Sequence, residues 1–159
     1  MDKRNIITNI NPKSRSAEAY RILRTNIQFA NIDKTINSIV ITSPGQGDGK
    51  STVIANLAVA IARNNKKVLL IDADLRKPNV HTFFQVSNTK GLTNLLSEDV
   101  EYIRIIESTY VENLDILSSG PIPPNPSELL GSNRIKILLD ELKTVYDMVL
   151  FDSPPACLV

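Results

Sequence analysis

Tryptophan is absent from the 159 residues, and cysteine and histidine occur once each, as Cys157 and His81. A lone thiol excludes an intramolecular disulfide, and one thiol with one imidazole excludes a cysteine or histidine metal cluster. His81 therefore reads as a packing or capping residue rather than a ligand or base. Long hydrophobic runs are missing too: the longest, 53–62, is interrupted by Asn56, whereas a membrane-spanning helix needs about 20 apolar residues. With no leader-like segment either, the expected location is the cytosol. Neither sign of charge dominates, since 18 Lys and Arg face 17 Asp and Glu for a net charge of +1. The basic residues are scattered among acids, so nucleic acid is not an expected partner. Repeats and low-complexity tracts are lacking, apart from a proline-rich stretch at 121–126. What remains is a chain of one domain's length with an ordinary hydrophobic fraction of 42%.

Glycine is also scarce, and its distribution is informative. Of the six glycines, Gly45, Gly47 and Gly49 crowd into one turn, residues 43–52, reading SPGQGDGKST. An apolar run at 38–42 precedes it and the apolar run 53–62 follows, so the stretch reads as strand, phosphate loop and helix. Glycines let successive N–H groups turn inward around phosphate oxygens, and the helix aims its positive dipole end at them. Lys50 adds a point charge, and Ser51 stands where a hydroxyl ligates Mg²⁺. The pattern is G-x-x-x-x-G-K-[ST], with Pro44 in the first glycine's place. The nucleotide-binding set is Gly45, Gln46, Gly47, Asp48, Gly49, Lys50, Ser51 and Thr52.

Along the chain, residues 1–13 read as a polar arm and 14–159 as the domain. A helix capped by Ser14 or Ser16 runs to about Ala30, with Tyr20, Leu23, Ile27 and Ala30 on one face. Glu18, Arg21 and Arg24 recur every three residues as a charged stripe; spacing alone favours a solvated face with one ion pair over a subunit contact. Residues 67–72 read as a short strand, continuously apolar over 68–71 and ending in Asp72, and Asp72 and Asp74 then occupy the carboxyl end of that strand, where such sheets bind ligands. Arg76 and Lys77 either contact phosphate or sit in solvent. Short helical patterns cover 91–96 and 102–108, and 114–118 reads as another strand. A helix opened by Pro126 continues over 127–146, and residues 146–152 form a last apolar strand ending in Asp152. An aspartate there, downstream of a phosphate loop, is the usual second metal-site motif. The metal set is thus Ser51, Asp72 and Asp152. Strands alternating with helices imply an α/β fold, a parallel sheet with flanking helices. Because the chain stops just after the metal-site strand, an incomplete domain with an exposed sheet edge is expected.

Residues 43–52, 69–78 (LLIDADLRKP) and 150–155 (LFDSPP) together resemble the cytoplasmic kinase domain of bacterial protein-tyrosine kinases of the capsular and exopolysaccharide type, P-loop enzymes with a deviant Walker motif. The likeness runs from the helix at Glu18 to the end of the chain. It implies that Lys50 and Ser51 serve the ATP phosphates, that Asp72 and Asp74 form the second motif, and that Asp152 forms the third. It reverses what spacing alone favours for Glu18, Arg21 and Arg24, which match an E-x-x-R-x-x-R helix joining subunits into a ring. It also implies tyrosine phosphorylation in trans, ATP and ADP with Mg²⁺ as ligands, and a membrane-embedded polysaccharide co-polymerase as partner. The chain would then sit in the cytoplasm, peripheral to the membrane's inner face. The family's usual C-terminal tyrosine cluster is missing, for the chain holds only Tyr20, Tyr102, Tyr110 and Tyr146, all expected inside the fold.

The mechanism implied is phosphoryl transfer by positioning and charge neutralisation. Loop amides and Lys50 hold the β- and γ-phosphates, Ser51 and Asp152 organise Mg²⁺, Asp72 accepts the phenol proton, and Asp74 assists. Two alternatives stay open. One is a positioning or partition ATPase of the related deviant-loop class, which carries a lysine where this chain has Gly45. The other is a nucleotide-binding regulator without turnover.

Overall fold

A computed structural model describes residues 6–30 and 34–156. The expectations for residues 1–5 and for Cys157 lie outside the described residues.

Among the described residues five strands form one sheet: β1 (Ser38–Ile41), β2 (Val68–Asp72), β3 (Glu107–Ser108), β4 (Leu114–Leu117) and β5 (Met148–Asp152), in the order β1-β5-β2-β4-β3. β1, β5, β2 and β4 run parallel and β3 is antiparallel to β4. The architecture is thus α/β with a mostly parallel sheet, as the alternating pattern predicts. Strand β2 is buried along its whole length, which is why it shows a continuous apolar run rather than alternation. Its side chains still divide by pleat: Val68 and Leu70 join one core, Leu69 and Ile71 the other.

The first core holds helices α1 (Ile7–Ile10), α2 (Arg15–Phe29), α3 (Lys50–Ala62) and α4 (Val80–Phe84) against one face. The second holds α5 (Leu92–Ser97), α6 (Pro126–Leu130) and α7 (Asn133–Val145) against the other. Helix α3 is apolar nearly all round because it lies between the sheet and α2.

Four expectations are corrected. Residues 6–13 are not a free arm: Ile6 is buried, and Thr8 donates through its N–H and Oγ1 to Asn56 Oδ1, both at 3.0 Å. Arg63 adds bonds to the Thr8 carbonyl and to Asn9 Oδ1. The single helix over 127–146 is two helices, interrupted at Gly131 and Ser132; Ser132 has extended backbone and opens α7 as its N-cap. The helical pattern at 102–108 is one turn of 3₁₀-helix, Tyr102–Arg104, followed by β3. Tyr110, expected inside the fold, is 54% exposed, in contrast to Tyr146 at 6%.

Candidate functional site

Because β1, β5 and β2 are parallel neighbours, their carboxyl ends bring three loops together: the loop after Ile41, the segment after Asp72 and the Ser153–Pro155 turn. They enclose a cleft of about 700 Å³ lined on one side by Gln46, Gly47, Gly49, Lys50, Ser51 and Thr52. Asp74, Arg76, Lys77, Pro78, Asn79 and Phe83 line the other, with Pro154 and Pro155 between.

Gly47 and Gly49 have φ of 80° and 85°, a left-handed conformation that side chains resist, and Gly49 is the N-cap of α3. Gly45 does not share it. Its N–H donates to Asp48 Oδ2 at 2.9 Å, and its carbonyl accepts from Ser43 Oγ at 2.6 Å. Neither Gly45 nor Asp48 lines the cleft; the pair closes the loop upon itself. The remaining predicted loop residues do face it.

Ser51 Oγ donates to Asp152 Oδ2 at 2.5 Å. The other oxygen of Asp152, Oδ1, is buried and has no hydrogen-bond partner among the described residues. An unsatisfied carboxylate oxygen carries a desolvation cost, and burial accordingly raises the Asp152 pKa against the opposing pull of Ser51 and Lys50. A hard divalent cation suits this donor set, a hydroxyl and a carboxylate oxygen beside a helix N-terminus.

Asp72 differs from its expected role. It is fully buried, is not among the residues lining the cleft, and its carboxylate is occupied by backbone. Oδ2 accepts from the N–H groups of Asn79 and Val80 at 2.9 Å each, and Oδ1 from that of Asp74 at 3.3 Å. Burial pushes its pKa up to about 7, aided by Asp152 on the adjacent strand and opposed by those N–H bonds. Asp74 is the acid that reaches the cleft. Its Oδ1 accepts from the Lys77 N–H at 3.0 Å and the Arg76 N–H at 3.3 Å, and Arg76 also donates to Ser127 Oγ of α6. The anchoring donors Asn79 and Val80, and the wall residue Phe83, carry no motif that sequence reading would single out.

The α2 stripe is engaged within the chain. Arg21 pairs with Glu18 and donates to the Pro12 carbonyl at 2.7 Å. Arg24 bonds the Ala60 carbonyl at 3.2 Å, while its Nε is buried without a partner among the described residues. His81 sits in α4, half-buried, and its carbonyl accepts from the Val86 N–H. Among the described residues no helix is long and apolar enough to cross a membrane.

Comparison with known proteins places this geometry. Residues 36–159 match the family described as AAA domain. The tyrosine-protein kinase YwqD of Bacillus subtilis (strain 168) is 52% identical over 153 residues, which cover 96% of this chain and 65% of YwqD. The chain thus spans about two thirds of that relative's length. Among solved structures, the chimerical protein CapA2B2 superposes with a TM-score of 0.94 at 47% identity, covering 98% of this chain and 68% of that one. The septum site-determining protein MinD of Pyrococcus horikoshii, complexed with Mg-ADP, is more distant: TM-score 0.66, 31% identity, 77% of this chain and 50% of MinD. The chain belongs to the AAA-domain P-loop proteins, in the branch formed by the bacterial tyrosine-protein kinases.

Proposed function

We propose that this chain binds ATP and, with Mg²⁺, transfers the γ-phosphoryl group to protein tyrosine, as part of a kinase serving capsular or exopolysaccharide synthesis. The observation that carries the reading is the Ser51–Asp152 hydrogen bond with the buried, unpartnered Asp152 Oδ1 beside it. In this reading the amides of the loop and Lys50 hold the phosphates. Ser51 and Asp152 would hold Mg²⁺, which supplies neutralisation of phosphate charge. Asp72 contributes indirectly, as the buried anchor that fixes the segment from Asp74 to Val80. Asp74, which opens onto the cleft, is the carboxylate placed to receive the phenol proton. The phenol oxygen forms a bond to the γ-phosphorus as the bridging bond to the β-phosphate breaks, and ADP leaves with that electron pair.

Assembly is part of the same proposal. Ile22 and Phe29 of α2 are 53% and 70% exposed, so α2 offers apolar surface to a neighbouring copy in a ring. The membrane-embedded polysaccharide co-polymerase, and attachment to the inner face through it, rest on the family resemblance alone.

The test is ATP labelled on its γ-phosphate, with Mg²⁺, a co-polymerase tail peptide and a tyrosine-containing acceptor, comparing the chain with Lys50→Met. Label on tyrosine, reduced by about 10²-fold or more in the variant, is the expected result. Equal labelling by the variant overturns the assignment. Label released only as free phosphate favours an ATPase switch of the MinD kind, and nucleotide binding without turnover favours a regulator.

A further inference from the structure

Among the four tyrosines, Tyr110 is the one with an exposed ring, at 54%. It lies in the turn between β3 and β4, just before Leu114, the first residue of β4. Leu114 is in register with Val68, the first residue of β2, so Tyr110 belongs to the amino-terminal end of the parallel strands. The phosphate-binding cleft lies at their carboxyl end. Four steps of strand from Val68 to Asp72 separate the two ends by about 13 Å, and the turn is tied down by the Thr109 and Leu114 backbone bonds. No motion of a side chain brings this phenol to its own chain's phosphate loop.

Tyr110 also has a receiver for added charge. It shares a cleft of about 290 Å³ with Arg63, Asn9, Asn65 and Glu112. Arg63 reaches across from the end of α3 to bond the Thr8 carbonyl at 2.7 Å and Asn9 Oδ1 at 2.6 Å, which clamps α1. The phenol is partly desolvated, and its ring packs near Phe84 at 6.2 Å between centroids. A phosphate ester on the phenol oxygen would stand beside a guanidinium able to give two parallel bonds, opposed by the Glu112 carboxylate that lines the same cleft.

We infer that Tyr110 is a phosphorylation site, modified in trans by a second copy of this kinase, and that the phosphate draws Arg63 away from the α1 clamp. The inference rests on the kinase reading above. The phenol oxygen bonds to the γ-phosphorus of ATP in the other copy's cleft, ADP departs, and the phenol proton passes to that copy's carboxylate.

The test uses the unmodified chain as enzyme, and Lys50→Met, with and without Tyr110→Phe, as acceptor, with Mg²⁺-ATP and phosphopeptide mapping. Phosphate on Tyr110 of the Lys50→Met acceptor, lost in the double variant, is expected. Phosphate on other tyrosines alone, or acceptors left bare while a tyrosine peptide is labelled, overturns the inference and spares the kinase reading. Failure to label any acceptor overturns the kinase reading instead. The second arm needs no turnover: phosphotyrosine is installed at 110 during synthesis and amide exchange is followed at Asn9, Ile10 and Asn11, whose N–H groups bond within the α1 turn. Exchange faster by about 10-fold than in the unmodified chain is expected; unchanged exchange overturns the proposed release of Arg63.

Discussion

Asp152 and Asp72 end neighbouring strands in register, yet their surroundings assign them opposite work. One oxygen of Asp152 is left open in a buried place, whereas both oxygens of Asp72 are filled by backbone N–H groups. Asp152→Asn should therefore abolish the Mg²⁺-dependent part of nucleotide affinity and leave the Mg²⁺-free part intact. Titration calorimetry with and without Mg²⁺ checks this, with a loss of about 10-fold or more expected only in the presence of metal. Asp72 gives a different prediction, in stability. Its folded pKa is about 7 against 3.8, so the native state binds the proton more tightly than the unfolded chain. The contribution of Asp72 to stability is then fully present below pH 3.8 and is lost as pH rises through about 7, an amount of order 4 kcal/mol at about 1.4 kcal/mol per pKa unit. Asp72→Asn, which can still accept two of the three bonds, should flatten that decline to Asp152's share in denaturant titrations between pH 4 and 8. An unchanged slope would assign the decline elsewhere. Local motifs make Lys50, Ser51 and Asp152 legible in the sequence. The closure of Asp48 onto Gly45 and the capping of Asp72 by residues seven and eight positions later are not, because they depend on how each loop folds back.

At the scale of elements, strands are legible because four of them are short, apolar and end in a ligand-bearing loop or a turn. Helix boundaries are less so. The apolar positions of 127–146 keep helical spacing through Gly131 and Ser132, so periodicity hides a break that backbone conformation at Ser132 imposes. The 6–13 segment escapes sequence reading for the opposite reason: it has little periodicity, and its order comes from tertiary bonds to α3. Those bonds can be measured. Asn56 is fully buried, accepts from Thr8, and donates to the Thr52 carbonyl at 2.9 Å. Asn56→Ala leaves the buried Thr8 N–H without its acceptor, at a cost of about 3 kcal/mol from unmet polar groups. A double-mutant cycle with Thr8→Ala should show coupling of about 1 kcal/mol, since one bond from the Thr8 hydroxyl is common to both changes. Additive effects would mean that the hydroxyl bond contributes nothing and that Asn56 holds α1 through the Thr8 N–H alone.

For the molecule as a whole, the sheet order places the metal-site strand β5 in the interior, between β1 and β2. The exposed edge anticipated from the sequence is therefore not beside Asp152 but at β1, which among the described residues pairs with β5 alone. That order cannot be read from the chain, because β5 inserts between strands that precede it by more than seventy residues. Val40 of β1 is 62% exposed, and the β1 edge opposite β5 has no strand neighbour among the described residues. Unpaired backbone groups beside an exposed β-branched residue form a template for edge-to-edge association. Val40→Lys places a charge on that edge without touching either core, so its thermal midpoint should stay within about 2 °C of the parent. Its aggregation on holding near the midpoint, followed by light scattering, should slow by several-fold, most at low salt, where charge repulsion is least screened. Equal aggregation rates would locate the sticky surface elsewhere, with the exposed Ile22 and Phe29 of α2 the next residues to substitute.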